Sequence, residues 1–290
     1  MSITASDVAK LRSLTGAGMM DCKKALDEAE GDMEKAGEIL RKKGIIKAAK
    51  RTDKVAAEGT TLVKVNGDSA VVVEVNSETD FVAQNEDFKK LVGDFASALL
   101  AEKPASVETA MNVVFEGQSL QDRLNNLTAK IGEKISLRRF EVVEKTSSDA
   151  FGSYSHLGGK ISVLILLKNT TDTNLATEVA MHAAASNPKY VNRSEVPAET
   201  VEKEKEIYTD QLKQQGKPEA AMANILKGKL DKFYSEICLL EQPFIKDEEK
   251  TIQKLIGESV MVAKMVRFEL GDGITKEATD FAAEVEAQLK

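Results

Sequence analysis

The chain has 290 residues, of which 42% are hydrophobic and 30% charged, with a formal net charge of −7 and two cysteines. That length accommodates two or more cores, and the composition is ordinary for a soluble globular protein. The acidic balance argues against nonspecific nucleic-acid binding. The two cysteines, Cys22 and Cys238, lie far apart in sequence and make neither a disulfide framework nor a metal-ligand spacing, and neither a signal peptide nor a bilayer-length apolar run is present, so a cytoplasmic home is expected.

Residues 3–43 read as three short helices. Thr4 and Asp7 form an N-cap signature ahead of Val8, Leu11 and Leu14 at helical spacing. After the break at Thr15-Gly16-Ala17-Gly18, a second helix puts Met19, Cys22, Ala25, Leu26 and Ala29 on one face. Cys22 on that face suits a small buried hydrophobe. Met20 falls off the face; it is either an adaptable contact or a surface methionine with no role. Gly31-Asp32 ends this helix and caps a third, with Met33, Ala36 and Leu40. A basic stretch follows, Arg41, Lys42, Lys43, Lys47, Lys50, Arg51 and Lys54 against Asp53. It is either a solvated linker or a means of steering toward an acidic partner.

The middle of the chain reads as a diverged duplication. In the first copy Leu62–Val65 turns at Asn66-Gly67 and returns through Ala70–Val75. A helix with Phe88, Leu91, Val92, Phe95 and Leu99 on one face comes next, then a surface loop over Ser106–Gln118. A second helix, with Leu120, Leu124, Leu127 and Ile131, leads through Gly132-Glu133 to a strand containing Arg139-Phe140-Glu141. In the second copy Tyr154–Leu157 turns at Gly158-Gly159 into Ile161–Leu167, and an Ala-rich helix follows near Leu175–Ala185. Ile256-Gly257-Glu258 and Arg267-Phe268-Glu269 then repeat Ile131-Gly132-Glu133 and Arg139-Phe140-Glu141. Each copy is expected to be a small antiparallel sheet with helices on one face, a unit that can pack on a second through its helices, in a chain of α+β class.

The second copy carries an insertion. Pro188 ends its first helix; Val201, Tyr208 and Leu212 mark one helical arm, Gly216 and Pro218 the turn, and Met222, Ile225, Leu226, Phe233 and Ile237 the other. The narrow stripe of this hairpin is covered by its own arms or by a second subunit, so a homodimer of the complex is possible. Thr275–Lys290 reads as an amphipathic helix, with Ala278, Phe281, Ala282, Val285 and Leu289 on one face and a second Thr-Asp-Phe at 279–281. The expected division is 1–54 for the helical bundle and tether, 55–145 for the first copy, 146–189 with 241–272 for the second, 190–240 for the hairpin and 273–290 for the C-terminal module.

The most informative segment is Asn76-Ser77-Glu78-Thr79-Asp80-Phe81-Val82-Ala83-Gln84-Asn85, at the exit of an apolar strand. Two readings are open. Ser77 caps a helix, Asp80 completes a capping box and Phe81 packs inward; or Phe81 is an apolar tip, with Asp80 as a charge beside it, for insertion into a partner. The chain has no phosphate-cradling loop, no His-Glu-x-x-His and no Gly-x-Ser-x-Gly. His182, in an Ala-rich helix, reads as a structural histidine. His156, two residues before a hairpin turn, reads as a surface contact. Ser153 and Ser155 alternate in direction along a strand, with no third group to activate them. No covalent chemistry, cofactor or resident metal is expected.

Thr15-Gly16-Ala17-Gly18-Met19-Met20-Asp21-Cys22-Lys23-Lys24-Ala25-Leu26 together with the Thr79-Asp80-Phe81-Val82 segment resembles the bacterial elongation factor Ts family, the nucleotide exchange factors of elongation factor Tu. Ile131-Gly132-Glu133, Gly152-Ser153-Tyr154 with His156, Ala180-Met181-His182, Gln242-Pro243-Phe244, Arg267-Phe268-Glu269 and Thr279–Val285 follow in that family's order. The resemblance implies a ubiquitin-associated-like N-terminal bundle, a duplicated core, an inserted helical hairpin and a C-terminal helix. It implies a partner, elongation factor Tu with GDP and magnesium bound, and no direct contact with nucleic acid or membrane. Thr79, Asp80, Phe81 and Val82 would disturb the partner's magnesium site. Arg12, Met19, Met20 and Lys23 would bind its nucleotide domain, His156 would lie in a second contact region, and Asp280 and Phe281 would make a weaker C-terminal contact. Two rival readings are an adaptor that leaves nucleotide release unchanged and a nucleic-acid module built on residues 41–54, which lacks stacking aromatics near its basic residues.

Overall fold

The computed structural model describes residues 3–15, 19–40, 56–215 and 218–275. The chain divides into two compact units, one comprising Met1–Leu62, Val73–Phe140 and Glu269–Lys290, the other Val63–Val72 and Glu141–Phe268. Helices and small antiparallel sheets make it an α+β protein.

The first unit begins with helices α1 (Ala5–Thr15), α2 (Met19–Glu28) and α3 (residues 33–40). Thr4 and Asp7 cap α1 reciprocally: Thr4 donates its N–H and hydroxyl to the Asp7 carboxylate at 3.0 and 2.6 Å, and the Asp7 N–H donates back to Thr4 Oγ1 at 3.2 Å. These bonds hold the Asp7 carboxyl below its ordinary pKa. Asp32 caps α3 through the N–H groups of Glu34 and Lys35. Val8, Leu11, Cys22, Ala25, Leu26, Ala29 and Ala36 form the buried cluster between the helices. Met19, expected on that face, is 55% exposed, because it opens α2 and the packed face starts one turn later at Cys22.

Strands β1 (Glu58–Asn66) and β2 (Ser69–Ser77) form a hairpin. Its two-residue turn is Gly67-Asp68, one step later than the sequence suggests, because Gly67 supplies the positive φ, 58°, at the first central position. The apolar run of β2 is buried almost throughout, as befits the middle strand of three. Two helices follow, α4 (Asp80–Gln84) and α5 (Glu86–Glu102). Asn85 caps α5, and Phe88, Leu91, Val92, Phe95 and Leu99 are all buried, as their spacing predicts.

The stretch expected to be a surface loop is structured instead. It contains α6 (Val107–Met111), with a Ser106–Thr109 capping box, and a small hairpin of β3 (Val114–Phe115) and β4 (Gln118–Ser119). Glu116 and Gly117, at φ 50° and 82°, make its turn. Arg123 fastens the hairpin by donating to the Phe115 carbonyl at 2.7 and 3.2 Å and to Asp94 at 2.8 Å. Arg123 lies on α7 (Leu120–Ile131), which ends at Gly132 with φ 83° and leads to β5 (Ile135–Glu144). The sheet order is β1-β2-β5. Glu74 of β2 is fully buried, and its carboxylate accepts from Arg138 at 2.8 Å, Arg139 at 2.6 Å, Asn76 Nδ2 at 3.2 Å and the N–H of Gly271 at 2.9 Å. A buried carboxylate needs such a set of donors. This set also ties residues 269–272 to the sheet, since Arg139 donates to the Glu269 carbonyl and Arg138 to that of Asp272.

The second unit repeats the connectivity. β6 (Ala150–His156) and β7 (Ile161–Lys168) pair antiparallel, and α8 (Thr173–Ser186) packs on them. The helical hairpin is α9 (Ala198–Gln214) and α10 (Glu219–Ile237). β8 (Pro243–Phe244), β9 (Asp247–Thr251), α11 (Ile252–Ile256) and β10 (Met261–Glu269) complete the unit. The sheet order β10-β7-β6 matches the first sheet: in each, the third strand joins the second strand of the hairpin. Val163, Ile165 and Leu167 of β7 face α8, where Ala176, Val179, Ala180 and Ala183 allow a close approach. Leu164 and Leu166, on the other face, pack with Phe151, Val266, Phe268, Ala70, Val72 and Val143. That cluster is built from strand residues. The second cysteine, Cys238, is buried at the foot of α10, and burial pushes its thiol up to about 11.

Candidate partner-binding surface

Ser77 closes β2 inside the protein, and its hydroxyl donates to the Thr79 carbonyl at 2.8 Å. The Glu78 carboxylate accepts the N–H of Lys134 at 2.6 Å. Thr79 donates its N–H to Glu133 Oε2 at 3.0 Å and its hydroxyl to the same carboxylate at 2.9 and 3.1 Å. Thr79 is the N-cap of α4, with φ −121° and ψ 157°, yet its side chain makes no bond to the helix it precedes.

Val82 is the one residue of α4 that is buried, at 5% exposure, and Asn85 closes the turn by donating its N–H to the Val82 carbonyl at 3.0 Å. Asp80 is exposed, and Phe81 is 83% exposed. The capping-box reading of this segment therefore fails. Ser77 is not the cap, and Phe81 does not pack inward. Phe81 is the most exposed of the large apolar side chains among the described residues.

Arg12 stands exposed in the last turn of α1; Met19, Met20 and Lys23 stand exposed in the first turns of α2, with Met20 at 64%. His156 ends β6, exposed, with its Nδ1 3.1 Å from the Tyr154 hydroxyl and the two rings stacked at 5.9 Å. Beside it Leu157 is 71% exposed at a φ of 48°, an unusual backbone setting for a bulky residue. Nothing in its helical or strand periodicity marks Leu157; its only sequence signal is a leucine placed directly before Gly158-Gly159. Asp280, Phe281 and the basic stretch 41–54 lie outside the described residues.

His182 is fully buried, its Nε2 2.9 Å from Gln242 Oε1. Burial lowers its pKa, so it is neutral, with Nε2 donating to the amide oxygen and Nδ1 left to accept from the Ile245 N–H at 3.4 Å. Ser155 bonds Ser162 at 3.2 Å, not a base. Among the described residues no group of three or more His, Cys, Asp or Glu side chains is placed to hold a metal, and no helix is long and apolar enough to cross a membrane.

The family model described as Elongation factor TS matches residues 78–272. The chain belongs to the elongation factor Ts family. The match opens at Glu78, so it takes in the segment carrying Asp80 and Phe81, both sheets' third strands and His156. Elongation factor Ts proteins act in translation elongation as guanine nucleotide exchange factors for elongation factor Tu, and membership makes this chain an exchange factor for that partner. An exchange factor performs no covalent step, and its work lies in which state of the partner it binds.

Proposed function

We propose that Asp80 and Phe81 are the working element of exchange. Phe81 inserts into elongation factor Tu in its GDP form, and Asp80 disturbs the surroundings of the bound magnesium; the ion and then GDP are released, and GTP can bind. A factor that prefers the nucleotide-free partner must weaken nucleotide binding by the same coupling free energy. It also needs separate holds, so that it stays bound while one contact distorts the site. Arg12, Met19, Met20 and Lys23 are assigned to the partner's nucleotide domain, His156 to a second contact, and Asp280 and Phe281 to a weaker third. The N-terminal helices serve as a docking module of the ubiquitin-associated type, and the helical hairpin as an insertion available for pairing two complexes.

The observation that carries this reading is the 83% exposure of Phe81 beside an exposed Asp80. The test is stimulated release of fluorescent GDP from the partner across a magnesium titration. Loss of an aromatic anchor costs about 2 kcal/mol or more, which is a drop of about tenfold or more in rate for Phe81→Ala. Its melting temperature should barely move, because an exposed side chain contributes within about 0.5 kcal/mol. Asp80→Ala should slow release in a way that varies with magnesium concentration. Normal exchange by a well-folded Phe81→Ala would exclude this role.

A further inference from the structure

We infer that Glu133 is a positioning residue for exchange, acting through Thr79 to set the direction in which Asp80 and Phe81 are presented. The inference rests on the reading of Asp80 and Phe81 given above. A threonine at an N-cap ordinarily turns its hydroxyl to the second or third N–H of its own helix. Thr79 does not; both its N–H, at 3.0 Å, and its hydroxyl, at 2.9 and 3.1 Å, go to the Glu133 carboxylate 54 positions away. The contact is reciprocal, because Glu78 accepts from the N–H of Lys134 at 2.6 Å. Two loops are thus cross-tied immediately before the exposed pair.

The need for such a tie follows from the helix itself. α4 has five residues, too few to be stable alone, and only Val82 is buried. Beyond that anchor, α5 holds the C-terminal end of α4. A fixed point at Thr79, one residue before Asp80, secures the other end. The fixed point comes from a rigid corner: α7 ends at Gly132, whose φ of 83° reverses the chain and aims Glu133 at Thr79 before β5 begins. Two donors of one residue converging on a single carboxylate fix its direction better than one would. The second copy shows what the corner is without this duty. There Glu258 is exposed, and the exit of β7 meets the loop through Asn169, whose Nδ2 donates to the Ser259 carbonyl at 3.1 Å.

The experiment measures stimulated release of fluorescent GDP by the full chain as its concentration is raised, giving a maximal rate and a half-saturating concentration for each variant, all assayed well below their melting temperatures. Because misplacement of a working group by about an ångström costs up to about 100-fold, Glu133→Ala should lower the maximal rate by about 10-fold to 100-fold with half-saturation within about twofold. Glu133→Gln, which keeps an acceptor for Thr79, should fall in between. Thr79→Val should slow release as well, and the double variant should be no slower than Glu133→Ala alone, since both remove one contact. Additive losses, a loss confined to half-saturation, or rates that follow melting temperature across the set would overturn the inference. Phe81→Ala is run alongside. If it releases GDP slowly while Glu133→Ala matches the unaltered chain, the positioning role alone fails; if Phe81→Ala is itself normal, the reading beneath it fails.

Discussion

Gly152 lies in β6 against the first turn of α8, and a β-carbon there would stand 2.0 Å from the backbone carbon and oxygen of Ala176. Backbone cannot give way as a side-chain tip can. Gly152→Ala should therefore destabilise the chain by about 3 kcal/mol or more, at the upper end of the overpacking range. Gly93, inside α5, meets nothing within 4 Å. Gly93→Ala should stabilise by about 0.5–1 kcal/mol through helix propensity alone. Urea denaturation of the two variants should give opposite signs. His182 supplies a pH dependence. Its folded pKa is lowered by burial, while an unfolded histidine titrates near its ordinary value of 6.5. Above that value neither state binds the proton. Below it only the unfolded state does, so stability falls by up to about 1.4 kcal/mol per pH unit until the folded pKa is reached. His182→Gln should flatten that slope in denaturation curves between pH 7 and 5.

At the scale of elements, the helical hairpin is stitched to the second unit at its base. Lys189 and Tyr190 donate their N–H groups to the Ile237 carbonyl at 2.9 and 3.1 Å, and Leu239 donates to the Tyr190 carbonyl at 2.9 Å. Arg193 adds contacts to Glu241 at 2.5 Å and Asp231 at 2.8 Å, with its guanidinium 4.4 Å over the Tyr234 ring. Leu239 is fully buried in the cluster under α8. Replacing residues 198–236 by a short linker should keep one cooperative unfolding transition, at a cost on the order of 1–2 kcal/mol. Removing 190–240 takes Leu239 with it and should cost about 2–5 kcal/mol more, as burying a leucine is worth in a packed core. Two superposed transitions from the narrow excision would show that the hairpin is integral to the unit.

The same scale shows what the sequence carried. Alternation and spacing located β2, the buried face of α5 and the Thr4–Asp7 cap, because each depends on neighbours within a few residues. The Gly67-Asp68 turn stands one position past Asn66-Gly67, with Gly67 taking the positive φ at its first central position. In Ser106–Gln118 the Ser106–Thr109 capping box is local, whereas the small hairpin is held by Arg123 from outside the stretch, which no local pattern announces. The segment Asn76–Asn85 carries two readings that local pattern does not separate, since both need the same residues at the same spacing. What excludes the capping box is the exposure of Phe81 and a Thr79 side chain turned to Glu133, 54 positions along the chain. The string Ile131-Gly132-Glu133 was visible only as a mark of duplication, and no periodicity announces a carboxylate that reaches across to another loop.

For the molecule as a whole, the two cysteines have a practical consequence. Both are buried, and the Cys238 thiol, pushed up to about 11, yields little thiolate near neutral pH. The native chain should be nearly silent toward a thiol-reactive dye, and both cysteines should react once it is unfolded. A cysteine introduced at Gln84, the exposed last residue of α4, would then be the single fast-labelling position. Dye uptake of about one per chain by Gln84→Cys, against almost none for the unaltered protein, would establish this by absorbance. Rapid labelling of the unaltered chain would mean that one of the native thiols opens to solvent. With the background quiet, a fluorophore three residues from Phe81 can signal the moment that side chain leaves water, and the approach of the partner can be timed separately from the departure of its nucleotide.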